Sequence, residues 1–223
     1  MKVSDIKVEL IHFVGDDLDV ANAARVSFDK PASNYTEEQN TKLINYLAKH
    51  KHHSPFNHSF LSFRVKAPLF CARQLVKHKF LPWNEVSRRY VDSEPEFYIP
   101  KEYRLKAENV KQGSSTTAIT EFYNPWGGSL CDINDVHDQH VDACLKLYDA
   151  LIIQNVCPEQ ARMVLPQNMM TEWRWSGTLG AFLDMLVLRL DPHTQKETRD
   201  VAELIAKEVK QLFPVSYAPY LGE

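Results

Sequence analysis

Basic side chains are concentrated in one part of the sequence, together with groups that could bind or react with a ligand. Residues 64–89 contain seven Lys or Arg and a single acid, Glu85, although the whole chain has a formal net charge of −3. Like charges crowded in this way repel one another unless an anion lies among them. His78 lies within this stretch and Ser87 near its end, where a hydroxyl beside arginines can donate to a phosphate oxygen. The stretch therefore predicts a phosphate-binding site, and a solvated basic surface is the alternative.

Two arginines later in the chain are candidates for the same site. Arg162 and Arg189 fall on otherwise apolar helical patterns, where a guanidinium must find an anion or reach solvent. Taken singly, each is consistent with a structural ion pair. Together with residues 64–89 they could converge on one dianion, since charge-assisted hydrogen bonds contribute roughly 1.5–3 kcal/mol each. Glu85 could then neutralise a neighbouring arginine or accept from a substrate hydroxyl or ring N–H.

Metal chemistry is not favoured by the histidine cluster between residues 50 and 58. His52 and His58 lack H-E-x-x-H spacing and no acid lies among them, so we predict no metal site. The cluster is typical of a polar helix end followed by a turn, although some of these imidazoles could face a ligand.

Covalent catalysis has two weak candidates. Cys157 precedes Pro158 at an expected helix start, where the helix dipole lowers a thiol pKa, but no histidine lies near it in sequence. Ser87 lacks the G-x-S-x-G context of a hydrolase nucleophile. Both patterns favour structural or binding roles over a nucleophile.

Composition limits the class of protein. The 223 residues are 44% hydrophobic and 25% charged, which suits one domain with a full core. Neither G-x-G-x-x-G nor G-x-x-x-x-G-K-[ST] occurs. The absence of a signal sequence and of an apolar run of membrane length predicts no membrane partner. Four cysteines without C-x-x-C spacing predict a reduced, cytoplasmic setting. The negative net charge argues against nucleic acid as a partner.

Periodicity predicts a helix-rich mixture of helices and strands that would position these groups. Thr36 and Gln39 form a capping box, and residues 106–129 have the least pattern and are expected to be a loop. The expected strands cover 3–14, 59–65, 93–100 and 171–176; the expected helices cover 17–27, the segment after Thr36, about 70–77, 136–152, a short segment from Pro158, 179–190 and, as the final helix, 194–213.

The spacing within the basic stretch resembles a known signature. Lys77-His78-Lys79, followed after seven residues by Ser87, is similar to the R-H-R-x7-S motif of the flavin-dependent thymidylate synthases. The resemblance continues, in the family's order, through residues 23–29, 46–50, 53–56, 65–68, 84–90, 96–100 and 161–166. It covers most of the chain apart from about 106–136, which is expected to be a family-variable insertion.

The resemblance implies a fold, a reaction and an assembly. It implies a single α+β domain over residues 1–223, helix-rich around a mainly antiparallel sheet, the thymidylate synthase-complementing fold. The implied reaction converts dUMP to dTMP, with methylenetetrahydrofolate as carbon donor and NADPH-reduced FAD as hydride source. The implied assembly is a homotetramer with active sites between subunits.

The resemblance also implies site residues by position. The dUMP-binding set, extended by the adjacent Arg88, is Gln74, Glu85, Ser87, Arg88, Arg89, Arg162 and Arg189. The FAD-binding set is Ser54, Asn57, Lys77, His78, Lys79, Phe80, Glu85, Thr178, Asp184 and His193. The residues assigned to catalysis are His52, Ser87 and Arg189.

Departures from the family pattern fall on the flavin side. Both motif arginines are lysines, which keep the charge but lose the planar bidentate fork. Asn57 stands where a glutamate is expected, and Thr178, Gly180 and Asp184 stand where Asn, Arg and Asn are expected. FAD could therefore bind more weakly or in a shifted pose. Two alternatives remain at this point: a pyrimidine nucleotide hydroxymethylase, and a non-catalytic nucleotide- or nucleic-acid-binding module.

Overall fold

The computed structural model describes residues 1–91, 93–108 and 113–222, which form α-helices and mostly short strands. The helices are α1 (Asp17–Arg25), α2 (Glu37–Lys49), α3 (Leu69–Leu75), α4 (Ile133–Ile153), α5 (Pro158–Ala161), α6 (Leu179–Arg189), α7 (Lys196–Leu212) and α8 (Pro214–Leu221). The strands are β1 (Lys2–Val3), β2 (Lys7–Val14), β3 (Phe60–Pro68), β4 (Trp83–Glu85), β5 (Glu96–Phe97), β6 (Arg104–Lys106), β7 (Ser114–Ala118), β8 (Phe122–Tyr123), β9 (Leu130–Cys131) and β10 (Met170–Thr178). The predicted α+β class is confirmed.

Local signals explain where several helices begin. Asp16 caps α1 and Thr36 caps α2; each forms a capping box with the residue three positions later. Thr178 caps α6 by accepting from the backbone N of Ala181 at 3.2 Å. Asp132 caps α4 in the same manner.

The chain divides into two compact units. The first unit comprises Met1–Ile6, Lys66–Gln74 and Glu85–Glu172, and the second comprises Lys7–Val65, Leu75–Asn84 and Trp173–Glu223. The boundary falls within β3, β4 and β10. The single domain predicted from the sequence stays a prediction.

The first unit is built around α4. Val141, Leu145 and Tyr148 on this helix pack in one buried cluster with Phe97 and Met169. The parallel pair β1–β5 brings Lys2 opposite Glu96, whereas the pairs β6–β7 and β8–β9 are antiparallel.

A four-stranded sheet has the order β2-β3-β10-β4, and most of its residues belong to the second unit. Trp173 and Trp175 on β10 are almost completely buried, and Trp83 stacks on Trp173 with ring centroids 4.2 Å apart. Phe182 on α6 lies edge-on to Phe63 of β3. This packing fixes β10 and α6, which carry candidate flavin-side residues.

Several predicted elements differ from the structure. The strand expected over 3–14 is interrupted between β1 and β2. Helix α3 ends at Leu75, so Lys77 lies beyond it rather than on its face below Arg73. The segment expected to be a loop contains β7 and β8, and residues 109–112 lie outside the described residues. Helix α7 is followed by α8, so 194–213 is not the final helix.

Among the described residues, no helix combines the length and the apolar character needed to cross a membrane. Within the same residues, no group of three or more His, Cys, Asp or Glu is placed to hold a metal ion.

Candidate functional site

A cavity of about 890 Å³ lies in the first unit and collects part of the predicted nucleotide set. Glu85, Ser87, Arg88 and Arg162 all line it, although Arg162 is 74 or more positions away from the other three in sequence. The apolar part of the wall comes from Leu69, Val86, Val91, Met163, Leu165, Met169 and Met170. Polar groups on an apolar wall are typical of a small-molecule site.

Not every predicted nucleotide-binding residue lines this cavity. Gln74 and Arg89 belong to the first unit but are not among its lining residues, and Arg189 belongs to the second unit. The basic stretch itself divides between the units, since Lys66, Arg73, Arg88 and Arg89 lie in the first.

Ser87 and Arg89 are held together by a turn. The backbone N and the side-chain Nε of Arg89 lie 3.4 Å and 3.3 Å from Ser87 Oγ, and both donate to it. The Arg89 guanidinium also lies over the Tyr90 ring, and its Nη1 is 3.7 Å from Glu159 Oε1. Because Ser87 Oγ accepts from Arg89, its own O–H is directed elsewhere and can donate to a phosphate oxygen.

The other two arginines differ in exposure. Arg162 follows α5, is exposed, and donates from Nε to the Glu159 carbonyl at 3.4 Å. Arg88 donates to the Ser93 carbonyl, and burial lowers its pKa. Arg88 is therefore anchored to its own loop, whereas Arg162 presents its guanidinium to solvent.

The cavity also contains charged residues that the sequence argument did not single out as site residues. Lys66 and Lys2 donate to Glu96 at 2.5 Å and 2.9 Å. These two hydrogen bonds, of which the one from Lys66 has the larger effect, lower the pKa of Glu96 to about 2. Glu94, Glu159 and Glu172, which lie outside the basic stretch 64–89, line the cavity as well. The lining is thus of mixed charge rather than uniformly basic.

Thr171 is the residue that sequence reasoning missed most clearly. It was expected only as part of a strand, yet its Oγ1 donates to Glu85 Oε1 at 2.7 Å inside the cavity lining. A pair separated by 86 positions leaves no local pattern, so no signal in this single sequence could have found it.

His78 and Arg189 meet in the second unit. Arg189 Nε donates to His78 Nε2 at 3.0 Å. Burial, and secondarily the charge of Arg189, lowers the pKa of His78 to about 4. His78 is therefore neutral at pH 7, with its proton on Nδ1 because Nε2 accepts from Arg189.

The residues on either side of His78 are open to solvent. Lys77, Lys79 and Phe80 are exposed, and Phe80 keeps 85% of its surface accessible. They lie in turns between α3 and β4.

Three flavin-side departures lie in contact with one another. Thr178 Oγ1 donates to Asn57 Oδ1 at 2.7 Å. A Cβ at Gly180 would lie only 2.6 Å from the same Asn57 oxygen, closer than real Cβ contacts come. Asn57 thus occupies the space that a side chain at position 180 would need.

Of the predicted FAD-binding residues, Glu85 lies in the first unit, and all the others lie in the second. Asp184 Oδ1 is 3.8 Å from His53 Nδ1, which also lies 3.2 Å from the Tyr220 hydroxyl. Burial raises the pKa of Tyr220 to about 12. Ser54 begins a 3₁₀ turn, and His52 and His193 are exposed, His193 with Nδ1 3.0 Å from Asp191 Oδ1.

The second unit's donor set fits an anionic, aromatic cofactor such as FAD. Lys77 and Lys79 supply exposed positive charge for phosphates, and Phe80 supplies an exposed ring for stacking. The neutral imidazole of His78 and the hydroxyl of Thr178 add neutral hydrogen-bonding groups. A bound FAD would be held by these side chains.

Comparison with known proteins identifies a family that this chain resembles. The family described as thymidylate synthase complementing protein matches residues 9–215. A flavin-dependent thymidylate synthase of Kosmotoga olearia is 36% identical over 215 residues, covering 96% of this chain and 90% of that protein. One of Thermus thermophilus is 37% identical over 213 residues, covering 96% and 74%.

Solved structures give the same result. The UMP/dUMP methylase PolB from Streptomyces cacaoi, bound with 5-Br dUMP, superposes with a TM-score of 0.83. It is 27% identical, and the match covers 100% of this chain and 97% of that one. The same methylase bound with 5-Br UMP gives a TM-score of 0.78 at 27% identity, covering 98% and 95%.

Proposed function

This chain belongs to the thymidylate synthase complementing protein family, and we propose from this that it is a flavin-dependent thymidylate synthase. It is an enzyme that converts dUMP to dTMP, with methylenetetrahydrofolate as carbon donor and NADPH as reductant of FAD. The hydroxymethylase and the non-catalytic module are less favoured, because the curated relatives at 32–37% identity carry the synthase name.

The observation that carries the proposal is the shared cavity of Glu85, Ser87, Arg88 and Arg162. Ser87 donates its hydroxyl to a phosphate oxygen of dUMP, and Arg162 supplies a guanidinium that can pair with the same dianion. Glu85 accepts from the ring N–H of the pyrimidine. The nucleotide is thereby bound at both its ends.

FAD, when bound, supplies the hydride that completes the methyl group. Lys77, Lys79 and Phe80 hold the cofactor, with Asn57 and Thr178 as further polar contacts. His78 remains neutral and hydrogen-bonded to Arg189, so that it offers an N–H donor from Nδ1 rather than a positive charge. Asp184 and His193 complete the proposed set.

Assembly into a homotetramer with active sites between subunits is part of the proposal. Large apolar side chains are exposed on the single chain, among them Phe28, Ile153 and Met163 at 75–83%. Such exposure supports a covered surface in the assembled protein. Sedimentation velocity should give the mass of four chains, and a fully active monomer would exclude the shared sites. A cytoplasmic location stays a prediction.

Mass spectrometry of the nucleotide product tests the reaction. The protein is incubated anaerobically with dUMP, FAD, NADPH and methylenetetrahydrofolate, and parallel samples omit one component each. Product with the mass of dTMP that requires every component supports the proposal. A hydroxymethyl product would show that the proposed reaction is wrong but would leave the assigned nucleotide site in place. Unmodified dUMP would refute the proposal that the protein is a thymidylate synthase.

A second candidate substrate is UMP, because the similar solved structures are those of a UMP/dUMP methylase. Comparing kcat/KM for dUMP and UMP on the same preparation distinguishes the two. A preference for dUMP of tenfold or more supports the synthase, and equal values would favour a methylase for both nucleotides.

A further inference from the structure

Thr171 lies in the wall of the nucleotide cavity and holds one oxygen of the Glu85 carboxylate. Its Oγ1 donates to Glu85 Oε1 at 2.7 Å. Thr171 keeps only 7% of its surface accessible, whereas Glu85 is exposed and lines the cavity. A buried hydroxyl thus donates to a carboxylate that a ligand can reach.

Strand pairing fixes the backbone of both residues. Glu85 ends β4 and Thr171 is the second residue of β10. Immediately next to them, the backbone N of Val86 donates to the carbonyl of Glu172 at 2.9 Å. Threonine is β-branched and therefore stiff about χ1. The hydroxyl is consequently held in place before any ligand binds.

The surroundings strengthen this hydrogen bond. Met169 and Met170 line the same cavity and are themselves buried. Water has little access to Thr171, so the solvent competes weakly for its hydroxyl. A hydrogen bond to a charged acceptor in such a place restricts the carboxylate more than one at an open surface.

We propose that Thr171 is a positioning residue for nucleotide binding, which orients the Glu85 carboxylate to accept from the ring N–H of the pyrimidine. This inference rests on the proposed function and adds to it a residue that acts through Glu85. Because Thr171 fixes one oxygen of the Glu85 carboxylate before the ligand arrives, it lowers the conformational entropy lost on binding.

The test compares two substitutions at one position. Thr171→Val keeps the shape but removes the donor, and Thr171→Ser keeps the donor but removes the methyl group. Titration calorimetry with dUMP on the full assembled protein should show an increase in Kd of about tenfold for Thr171→Val and less than about threefold for Thr171→Ser. If Thr171 had only a structural role, Thr171→Ser would weaken binding more than Thr171→Val, because serine leaves a cavity where the methyl group was.

A double-mutant cycle locates the effect on Glu85. In a Glu85→Ala background, Thr171→Val should leave the dUMP Kd unchanged within about twofold, because there is no carboxylate to orient. Thr198→Val is the matched control: Thr198 is fully buried on α7 in the second unit, and its substitution should leave the Kd unchanged even if thermal stability falls.

The outcomes separate this inference from the proposed function. Wild-type protein that does not bind dUMP would overturn both. Wild-type binding together with an unchanged Kd in Thr171→Val, or with an equal effect of Thr171→Val in the Glu85→Ala background, would overturn only the role of Thr171.

Discussion

The nucleotide cavity of the first unit and the flavin-side residues of the second unit are prepared for their ligands to different degrees. In the cavity, Glu85 is held by Thr171 and Ser87 by Arg89, so the polar groups are oriented in advance. On the flavin side, Lys77, Lys79 and Phe80 are exposed in turns. The first region is preorganised, and the second must lose side-chain entropy when its cofactor binds.

The two regions also differ in how far they keep the family pattern. The nucleotide residues match that pattern, whereas the departures fall on the flavin side. The hydrogen bond between Thr178 and Asn57, and the closeness of Asn57 to Gly180, place three of these departures next to one another. A changed residue in this region therefore has to be judged together with its neighbours.

The largest effect is expected when a cationic group is removed from the cavity. Arg162→Ala should raise the dUMP Kd tenfold or more, because a charge-assisted bond of about 1.5–3 kcal/mol is lost. Titration calorimetry measures the change. Arg104→Ala is the control: Arg104 lies in the same unit but not among the cavity-lining residues, and its loss should leave the Kd unchanged. An unchanged Kd in Arg162→Ala would contradict the preorganised anion site.

A smaller effect is expected when the flavin-side contact is disturbed. Gly180→Ala places a Cβ 2.6 Å from Asn57 Oδ1 and should destabilise the protein by about 1–2 kcal/mol, with weaker FAD binding. Adding Asn57→Ala should recover most of that loss. Urea unfolding and quenching of flavin fluorescence give the two readouts.

Gly127→Ala serves as the control for this contact. A Cβ there meets nothing closer than 3.5 Å, and the exposed turn should accept it without loss of stability. If Gly180→Ala is as stable as Gly127→Ala, or if Asn57→Ala gives no recovery, the coupling of the departures is wrong.

Local sequence signals were sufficient for much of the fold. The capping box of Thr36 and Gln39 is present as predicted, and the strand ended by Pro68 is present as β3. His78 and Ser87, which the sequence singled out by their spacing, lie in the second and the first unit respectively. These features depend on residues within about ten positions of one another, which is the range over which periodicity and capping act.

Long-range contacts account for what the sequence could not predict. Helix α8 starts where the Asp17 carboxylate accepts from the backbone N of Val215 and of Ser216, each at 2.9 Å. That capping group lies 198 positions away from Val215 in the sequence, so the residues next to Pro214 do not supply a side-chain cap that could predict the helix. The Thr171–Glu85 bond and the Asn57–Gly180 proximity have the same character.

An effect of pH on stability is expected from His78 on the flavin side. The pKa of His78 is lowered to about 4 by burial, from an ordinary value of about 6.5. As the pH falls from about 6.5 to 4, His78 becomes protonated in the unfolded chain but stays neutral in the folded protein. The stability associated with neutral His78 is therefore complete above pH 6.5 and is lost over this window. The loss should stay near 1 kcal/mol, because His78 is partly exposed and solvent screens it.

Urea midpoints between pH 7 and pH 4.5 measure this effect. His78→Gln should flatten the pH dependence, whereas the control His140→Gln, at an exposed position on α4, should leave it as in the wild type. Equal pH dependence in His78→Gln and wild type would show that His78 is not held neutral by its surroundings.

The smallest effect is expected at Cys157, and it decides whether the first unit binds its nucleotide without covalent chemistry. Cys157 is the exposed N-cap of α5, makes no side-chain capping hydrogen bond and is not among the cavity-lining residues. Turnover of Cys157→Ala should therefore lie within about twofold of wild type. At about 1.4 kcal/mol per factor of ten in rate, this corresponds to a change of less than about 0.5 kcal/mol in the activation barrier. Cys144→Ala, half-buried on α4, controls for the loss of a thiol. Loss of turnover in folded Cys157→Ala, with Cys144→Ala active, would instead indicate a thiolate nucleophile beside Arg162 and would replace preorganised binding as the explanation for this region.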